Sequence, residues 1–437
     1  MKKGIVILLV VVALIVIVSP GIVGRIAEKS VDENLQWAAE KNEDIVVTSE
    51  RFARGWFSSE GQHRVEIRDP NVREVLLGLV GVEDLDGFPA LIIDTRLDHG
   101  LIPIASMTRD KGSLAPGLGS AVSTMHIEYP DGETFPLPGA IYSEIGLTGK
   151  TASRYLAEPG SHESAGTRAT WGEVDIEVTT DPSSQNVVFD GLIDSFTIVA
   201  DDDTLLVGKT TFAADQTSSK FGFAVGDFEM QIESVAVEEA GVDMVGFGPL
   251  SFEGASHIDG ERLNGDMTIN LGAIPVPGYG EMSLAIALRY TGIDGVAMAR
   301  LIHTFGGVDN NISSQQLLPL IEDDLQQLVA AGFEIHVDQF DFDLPEGLVT
   351  STMRFSIDES RASDFEWTSI LMDLDAEAEL KVATEFVDMA MAMNPQAGAI
   401  VGMGFLRRKG DVYEMRAEYT KGLLTVNGAP MPIPLPQ

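Results

Sequence analysis

The chain has 437 residues, 44% hydrophobic and 22% charged, which is the balance of a folded protein with a sizeable core. Its 67 acidic residues against 29 basic ones leave a formal net charge of -38, which repels phosphate backbones and argues against nucleic acid as a partner. It has no cysteine, which excludes disulfides, thiolate metal sites, a cysteine nucleophile and a lipid-modified N-terminal cysteine.

Lys2-Lys3 precede an unbroken aliphatic run, Ile5–Val18, followed by Ser19-Pro20-Gly21-Ile22-Val23-Gly24. As a helix, Ile5–Val18 covers about 21 Å and Ile5–Val23 about 28 Å, between a signal-peptide core and a full membrane span. Basic residues in front keep the N-terminus cytoplasmic and direct the remainder of the chain across the membrane. Pro20 suits a cleavage site poorly, so residues 1–24 are read as an uncleaved signal anchor, with 5–23 in the bilayer. Residues 25–43 come next as a helical stalk, with Val31, Leu35 and Ala38 on one face.

From residue 44 to about 310, apolar and polar residues alternate. "RGWFSSEGQHRVEI" (Arg54–Ile67) looks at first like catalytic material, with its Trp-Phe, Ser pair and His. Yet Gly61, His63, Val65 and Ile67 share one strand face, and Gln62, Arg64 and Glu66 the other. No third, orienting carboxylate or oxyanion donor accompanies them, so the stretch is read as a strand. "LDHGLIPI" (Leu97–Ile104) holds Asp98 beside His99, but extended neighbours point apart, and a turn at Gly100 is expected. "GLTGKTAS" (Gly146–Ser153) has two residues between its glycines where a phosphate loop needs four, so a turn at Gly149-Lys150 is expected.

Further on, "EVDIEV" sets Val174, Ile176 and Val178 against acidic neighbours. "FGFAV" (Phe221, Phe223, Val225), "FEMQI" (Phe228, Met230, Ile232) and "MSLAIAL" (Met282, Leu284, Ile286, Leu288) repeat the pattern. Turn pairs at Asp259-Gly260 and Asn264-Gly265 separate such runs. Alternation of this kind marks antiparallel sheet, and argues against the continuous apolar runs of Rossmann or TIM folds.

Residues 311–437 mix helix with strand and end in a hairpin. A helix is expected over Ser313–Gly332, strands over Phe333–Leu344, Leu348–Ile357 and Ile370–Val382, and helices from Ala383 to Met393 and from Pro395. The closing hairpin turns at Lys421-Gly422. "EIHVDQFDFD" (Glu334–Asp343) puts Glu334, His336 and Asp338 on one strand face, the best metal candidate in the chain. In so acidic a protein the plainer reading is a solvent face, with a bulge near Asp338-Gln339. Gly398-x-x-x-Gly402 suggests close packing of its helix on the sheet. Met389, Met391, Met393 and Met403 read as adaptable core, of a kind that also greets acyl chains.

Four stretches together resemble the YdgA family of bacterial envelope proteins. They are "RGWFSS" (Arg54, Gly55, Trp56, Phe57, Ser58, Ser59), "DHGLIPI" (Asp98, His99, Gly100 onward), "VATEFV" (Val382–Val387) and "GLLTVNGAPM" (Gly422–Met431). Tyr419, Gly422, Leu424, Asn427 and Gly428 match the family's closing hairpin, while Leu101 stands where the family often has proline. The resemblance implies an inner-membrane protein with its body in the periplasm, and brings no catalytic residue and no cofactor.

The fold expected is therefore mainly β (α+β): antiparallel, curved or elongated sheets with a few packed helices, after one N-terminal transmembrane helix. The function expected is non-enzymatic: binding of a lipid-like ligand or an envelope protein in a sheet-lined groove. A structural scaffold acting by homo-oligomerisation or docking is the second reading. A metal-dependent enzyme using Glu334, His336 and Asp338 is the third.

Overall fold

The computed structural model describes residues 45–431 apart from 55–57, 68–72, 74–87, 100–116, 131, 147, 165–166, 201–202, 239–244, 277–278, 307–313 and 360–369. The expected anchor (1–24), the stalk (25–43) and the tail from 432 lie outside the described residues. What is described is mainly antiparallel β-sheet with a few helices. The chain divides into two units, Met1–Thr217 with Val235–Met244, and Ser218–Ser234 with Val245–Gln437.

The first unit contains β1 (Ile45–Arg54), β2 (Ser58–Ile67), β3 (Ala90–His99), β4 (Gly117–Glu128), β5 (Thr134–Pro136), β6 (Ala140–Gly146), β7 (Thr151–Ala157), β8 (Gly160–Ser164), β9 (Thr167–Trp171), β10 (Val174–Asp181), β11 (Asn186–Ile193), β12 (Phe196–Ala200), β13 (Asp203–Val207), β14 (Thr210–Ser218) and β16 (Val235–Glu238). One antiparallel ladder runs β1-β2-β3-β4-β6-β7-β10-β11-β14, and β5 pairs with the end of β4. A second runs β8-β9-β12-β13-β16.

The alternation in β10 translates directly into packing. Val174, Ile176 and Val178 are buried in one cluster with Leu91, Ile127, Phe135 and Tyr155. In β2, His63, Val65 and Ile67 are buried. On its other face Arg64 bonds Glu66 and Glu128, each at 2.7 Å. Buried hydroxyls pair across strands, Thr95 with Ser123 at 2.8 Å and Ser153 with Ser143 at 2.9 Å, so that few polar groups are left wanting.

The second unit contains β15 (Ala224–Ile232), β17 (Val245–Phe247), β18 (Leu250–Asp259), β19 (Arg262–Val276), β20 (Gly280–Asp294), β21 (Phe333–Leu344), β22 (Gly347–Ile357), β23 (Leu374–Ala383), β24 (Arg407–Lys409), β25 (Val412–Thr420), β26 (Leu423–Val426) and β27 (Ala429–Met431). Its helices are α1 (Gly295–Gly306), α2 (Ser314–Ala330), α3 (Ile370–Asp373), α4 (Thr384–Met393) and α5 (Pro395–Gly402). The ladder is a meander, β15-β18-β19-β20-β21-β22-β23-β25, with β24 and β26 both on the far edge of β25 and β27 on β26.

Several local expectations need correction. Phe221 and Phe223 lie in the turn before β15, where Ser219 N–H donates to the Phe223 carbonyl and the two rings stack at 6.0 Å. Asn264-Gly265 is not a turn but the interior of β19, where Asn264 Oδ1 accepts the Gly292 N–H at 2.9 Å. Residues 370–373 form the helical turn α3, and the strand expected from Ile370 starts only at Leu374. Helix α1 was not anticipated. It is nucleated by Asp294, whose carboxylate accepts the Ala297 N–H at 2.8 Å as an N-cap. It is tied to α2 by Arg300, which donates to Asp324 and Gln327.

Candidate functional site

The catalytic-looking residues of the first unit do not assemble into machinery. Ser59 and His63 are both buried on β2. Four residue steps along the strand put them about 13 Å apart, too far for a nucleophile and its base. Arg54 and Ser58 fall at the ends of β1 and β2, with side chains outside the described residues, as are Gly55, Trp56 and Phe57 altogether. Asp98 is buried in β3, with Arg96 Nε 3.7 Å away. His99 is the last residue of that strand; its side chain, and Gly100 with its expected turn, lie outside the described residues. The Gly149-Lys150 turn is as expected: Gly146 N–H donates to the Lys150 carbonyl, and the chain passes from β6 straight into β7.

Glu334, His336 and Asp338 do share a face of β21, and the expected bulge falls between Val337 and Phe340. Their partners, however, are side chains of the sheet itself. Glu334 accepts from Arg354 Nε at 2.6 Å and lies 2.8 Å from His336 Nε2. Asp338 accepts from Arg289 at 3.1 Å. Burial pushes the Glu334 pKa up, but the hydrogen bonds and charges of Arg354 and His336 together outweigh it and hold the carboxyl below its ordinary value. Among the described residues no group of three or more His, Asp and Glu side chains is placed to hold a metal ion.

The family-motif residues at the C-terminus build a rigid corner. Lys421 (φ 51°) and Gly422 (φ 80°) close the β25–β26 hairpin, and Asn427 (φ 50°) with Gly428 (φ 78°) close β26–β27. Paired left-handed residues of this kind match the strand twist, and Asn-Gly adopts them at least cost. Asn427 also reaches outward. Its amide donates to the carbonyls of Gly404 and Phe405 at 2.9 and 3.0 Å, and its Oδ1 accepts the Arg416 N–H at 2.9 Å. One side chain thus joins the hairpin to the segment leaving α5.

The most unusual feature is a whole sheet face. In the second unit, residues in register form apolar rows across eight strands. One row is Ile232, Leu250, Leu271, Leu284, Phe342, Val349, Val382 and Tyr413. The next is Met230, Phe252, Ile269, Ile286, Phe340, Ser351, Leu380 and Met415. A third runs from Phe228 through Met267, Leu288, Val337 and Met353 to Ala417. At about 4.8 Å per strand, each row spans about 34 Å.

These rows have the pattern of a core but not its burial. In the first unit the equivalent Ile176 is 3% exposed. In the second, only Val382 and Tyr413 of the first two rows are buried, under Val387 of α4. The middle of the face stays open: Phe340 is 36% exposed and Met353 49%, and Leu284, Ile286 and Leu288 are all partly accessible. A contiguous apolar face of this extent is far larger than the scattered apolar residues of an ordinary surface. The opposite face carries Asp227, Glu229, Glu253, Asp266, Asp343, Glu377 and Glu379, so the sheet is sharply two-sided.

Sequence alternation shows which residues share the face, but not that no described segment covers its middle. The expected close packing of Gly398 and Gly402 on the sheet is not found either. A Cβ on either glycine would meet nothing within 4 Å. The methionines divide: Met391 packs with the Val382 cluster, while Met393 and Met403 are exposed. Among the described residues no helix is long and apolar enough to cross a membrane.

A family model described as a bacterial protein of unknown function, DUF945, matches residues 1–434. Comparison with curated proteins finds no match, and neither does comparison with solved structures.

Proposed function

We propose, from the premise that this chain belongs to the bacterial DUF945 family of unknown function, that it is a non-enzymatic envelope protein that carries acyl chains on the open face of its second unit. The observation that carries this reading is the set of apolar rows across eight strands whose middle stays partly accessible among the described residues. Keeping such a face in water costs free energy in proportion to its area, at roughly 25 cal/mol per Å². That cost is sustained where a ligand covers the face in use.

Acyl chains fit this face better than a polar ligand does. It presents Leu, Ile, Phe, Met and Val in three adjacent rows, with Ser351 the one hydroxyl among the eight residues of the second row. The hydrocarbon core of a bilayer, two chains end to end, is about 30 Å thick, comparable to one row. The N-terminal aliphatic run, read as a signal anchor in the inner membrane with the body in the periplasm, would hold the face within reach of lipid. The YdgA-like motifs support the same placement.

Native mass spectrometry of the full chain after mild detergent extraction tests the proposal. The expected result is protein carrying added masses of lipid or fatty acid, lost in variants that make the face polar. Only bare protein, from cells and after incubation with phospholipid, overturns it. A scaffold acting by self-association is the alternative, favoured if cross-linking in cells yields discrete homo-oligomers joined through this face.

A further inference from the structure

A second surface, distinct from the acyl-binding face and independent of it, is built by α4, α5 and β24. The inner sides of the two helices are spent on the core: Phe386, Val387, Met391 and Val401 pack around Val382 and Tyr413. Their outer ends present Met393, Ile400 and Met403 at 78%, 45% and 63% exposure. Four residues beyond Met403 comes Arg407-Arg408-Lys409, all three exposed in β24. The Asn427 amide holds the intervening Gly404 and Phe405 carbonyls, so the apolar end and the basic strand are fixed to one another.

Basic side chains are concentrated here as they are in only one other place in the sequence. In a chain with a net charge of -38, basic residues adjoin in only two places: Lys2-Lys3, before the aliphatic leader, and Arg407-Lys409. Lys409 lies 3.2 Å from Glu414, and Arg408 Nε bonds the Gly410 carbonyl at 3.4 Å. Glu385, Asp388 and Asp411, all exposed, are the other charged side chains on the adjoining segments.

We infer that this corner docks on an anionic phospholipid surface. Exposed long apolar side chains beside a cationic cluster are the makings of an interfacial element: the apolar groups enter the headgroup boundary while the cations meet lipid phosphate. Methionine suits the role, because its flexible thioether adapts to irregular acyl packing. Charge complementarity selects the partner. An acidic body is repelled by an anionic membrane, and the repulsion is least where the basic side chains are concentrated, so the Arg407–Lys409 run sets which part of the body touches the bilayer. Each Lys or Arg near such a surface raises affinity about fivefold; with Lys409 shared with Glu414, and Arg407 and Arg408 on alternate sides of β24, the gain lies between about fivefold and about 30-fold.

The absence of cysteine makes the test direct. The full chain carrying Met403→Cys, labelled with an environment-sensitive fluorophore, is placed in vesicles of phosphatidylcholine alone or of an equal mixture with phosphatidylglycerol. The expected result is a blue-shifted emission and shielding from an aqueous quencher in the anionic vesicles, largely lost at high salt and in Arg407→Gln/Arg408→Gln. A label at Glu253→Cys, on the acidic sheet face, should stay in water in both. Equal spectra in the two vesicle types overturn the inference, as does indifference to the double glutamine variant. A shift that grows with the protein-to-lipid ratio would instead assign the corner to a second copy of this chain. Because all the altered side chains are exposed, matching spectra in detergent will show that the fold is intact.

Discussion

Met353→Gln separates an open ligand face from a badly packed core. Met353 stands in the third apolar row, in register with Val337 and Ala378, and is 49% exposed. Glutamine nearly conserves its volume, so no cavity forms, and in the free protein the new amide can reach water. The fold should therefore lose less than about 1 kcal/mol. A bound acyl chain changes the balance. It would cover the amide with hydrocarbon and leave its hydrogen bonds unmade, at a cost of about 1–3 kcal/mol, or roughly five- to 150-fold in affinity. Thr352→Gln, one residue away on the opposite and exposed face, should leave binding unchanged. The assay is titration of a fluorescent fatty acid into the full chain held in nanodiscs, beside urea midpoints for both variants. Unchanged affinity in Met353→Gln, or an equal loss in Thr352→Gln, would refute the reasoning. A large fall in stability with Met353→Gln would show that the face is a core after all.

Three further predictions concern the framework. Asn427→Ala removes three hydrogen bonds and puts alanine at φ 50°, and should lower stability by about 2–3 kcal/mol in urea unfolding, with Asn427→Gly recovering only the backbone share. Burial raises the Tyr155 pKa to about 12, so its stabilising effect is complete below the ordinary value near 10 and lost as pH rises from there to about 12. Alkaline titration of stability should thus show a loss on the order of a few kcal/mol that Tyr155→Phe lacks, although the variant forfeits the hydroxyl's bond to the Pro138 carbonyl at neutral pH. The Glu334 pKa is held down, so its contribution is present above the ordinary carboxylate value, about 4.3, and lost as pH falls through the lower folded value. Glu334→Gln should cost less than about 1 kcal/mol at neutral pH, and its urea midpoint should converge with that of the parent as acid protonates the folded carboxyl.

The closing elements were legible because their signals are local. Alternation gave Phe333–Leu344 as a strand with its bulge near Asp338, and β21 has both those limits and that bulge. Lys421-Gly422 announced a hairpin because few residue pairs tolerate two left-handed conformations in succession. Where the reading slipped, a longer-range partner had decided. Asn264-Gly265 has turn chemistry, yet both residues pair with β18 and Gly265 also pairs with β20, so the chain runs on through β19 with a register shift at Asn264. The N-cap at Asp294 was visible as an Asp before Gly-Val-Ala, but lay hidden in a region read wholly as strand.

What the amino-acid order determined by itself was the class of structure and the two faces of each strand, since a side chain's face depends only on its parity along an extended backbone. Ile176 and Ile286 are alike on that account: each recurs with large apolar residues two positions to either side, Ile176 between acidic neighbours and Ile286 between alanines, ready for a core. Only tertiary structure decided that the first would be buried among Leu91, Ile127 and Tyr155 and the second left accessible between Ile269 and Phe340. Burial depends on whether another layer arrives over the face, and that is settled by how distant segments pack, which no window of sequence contains.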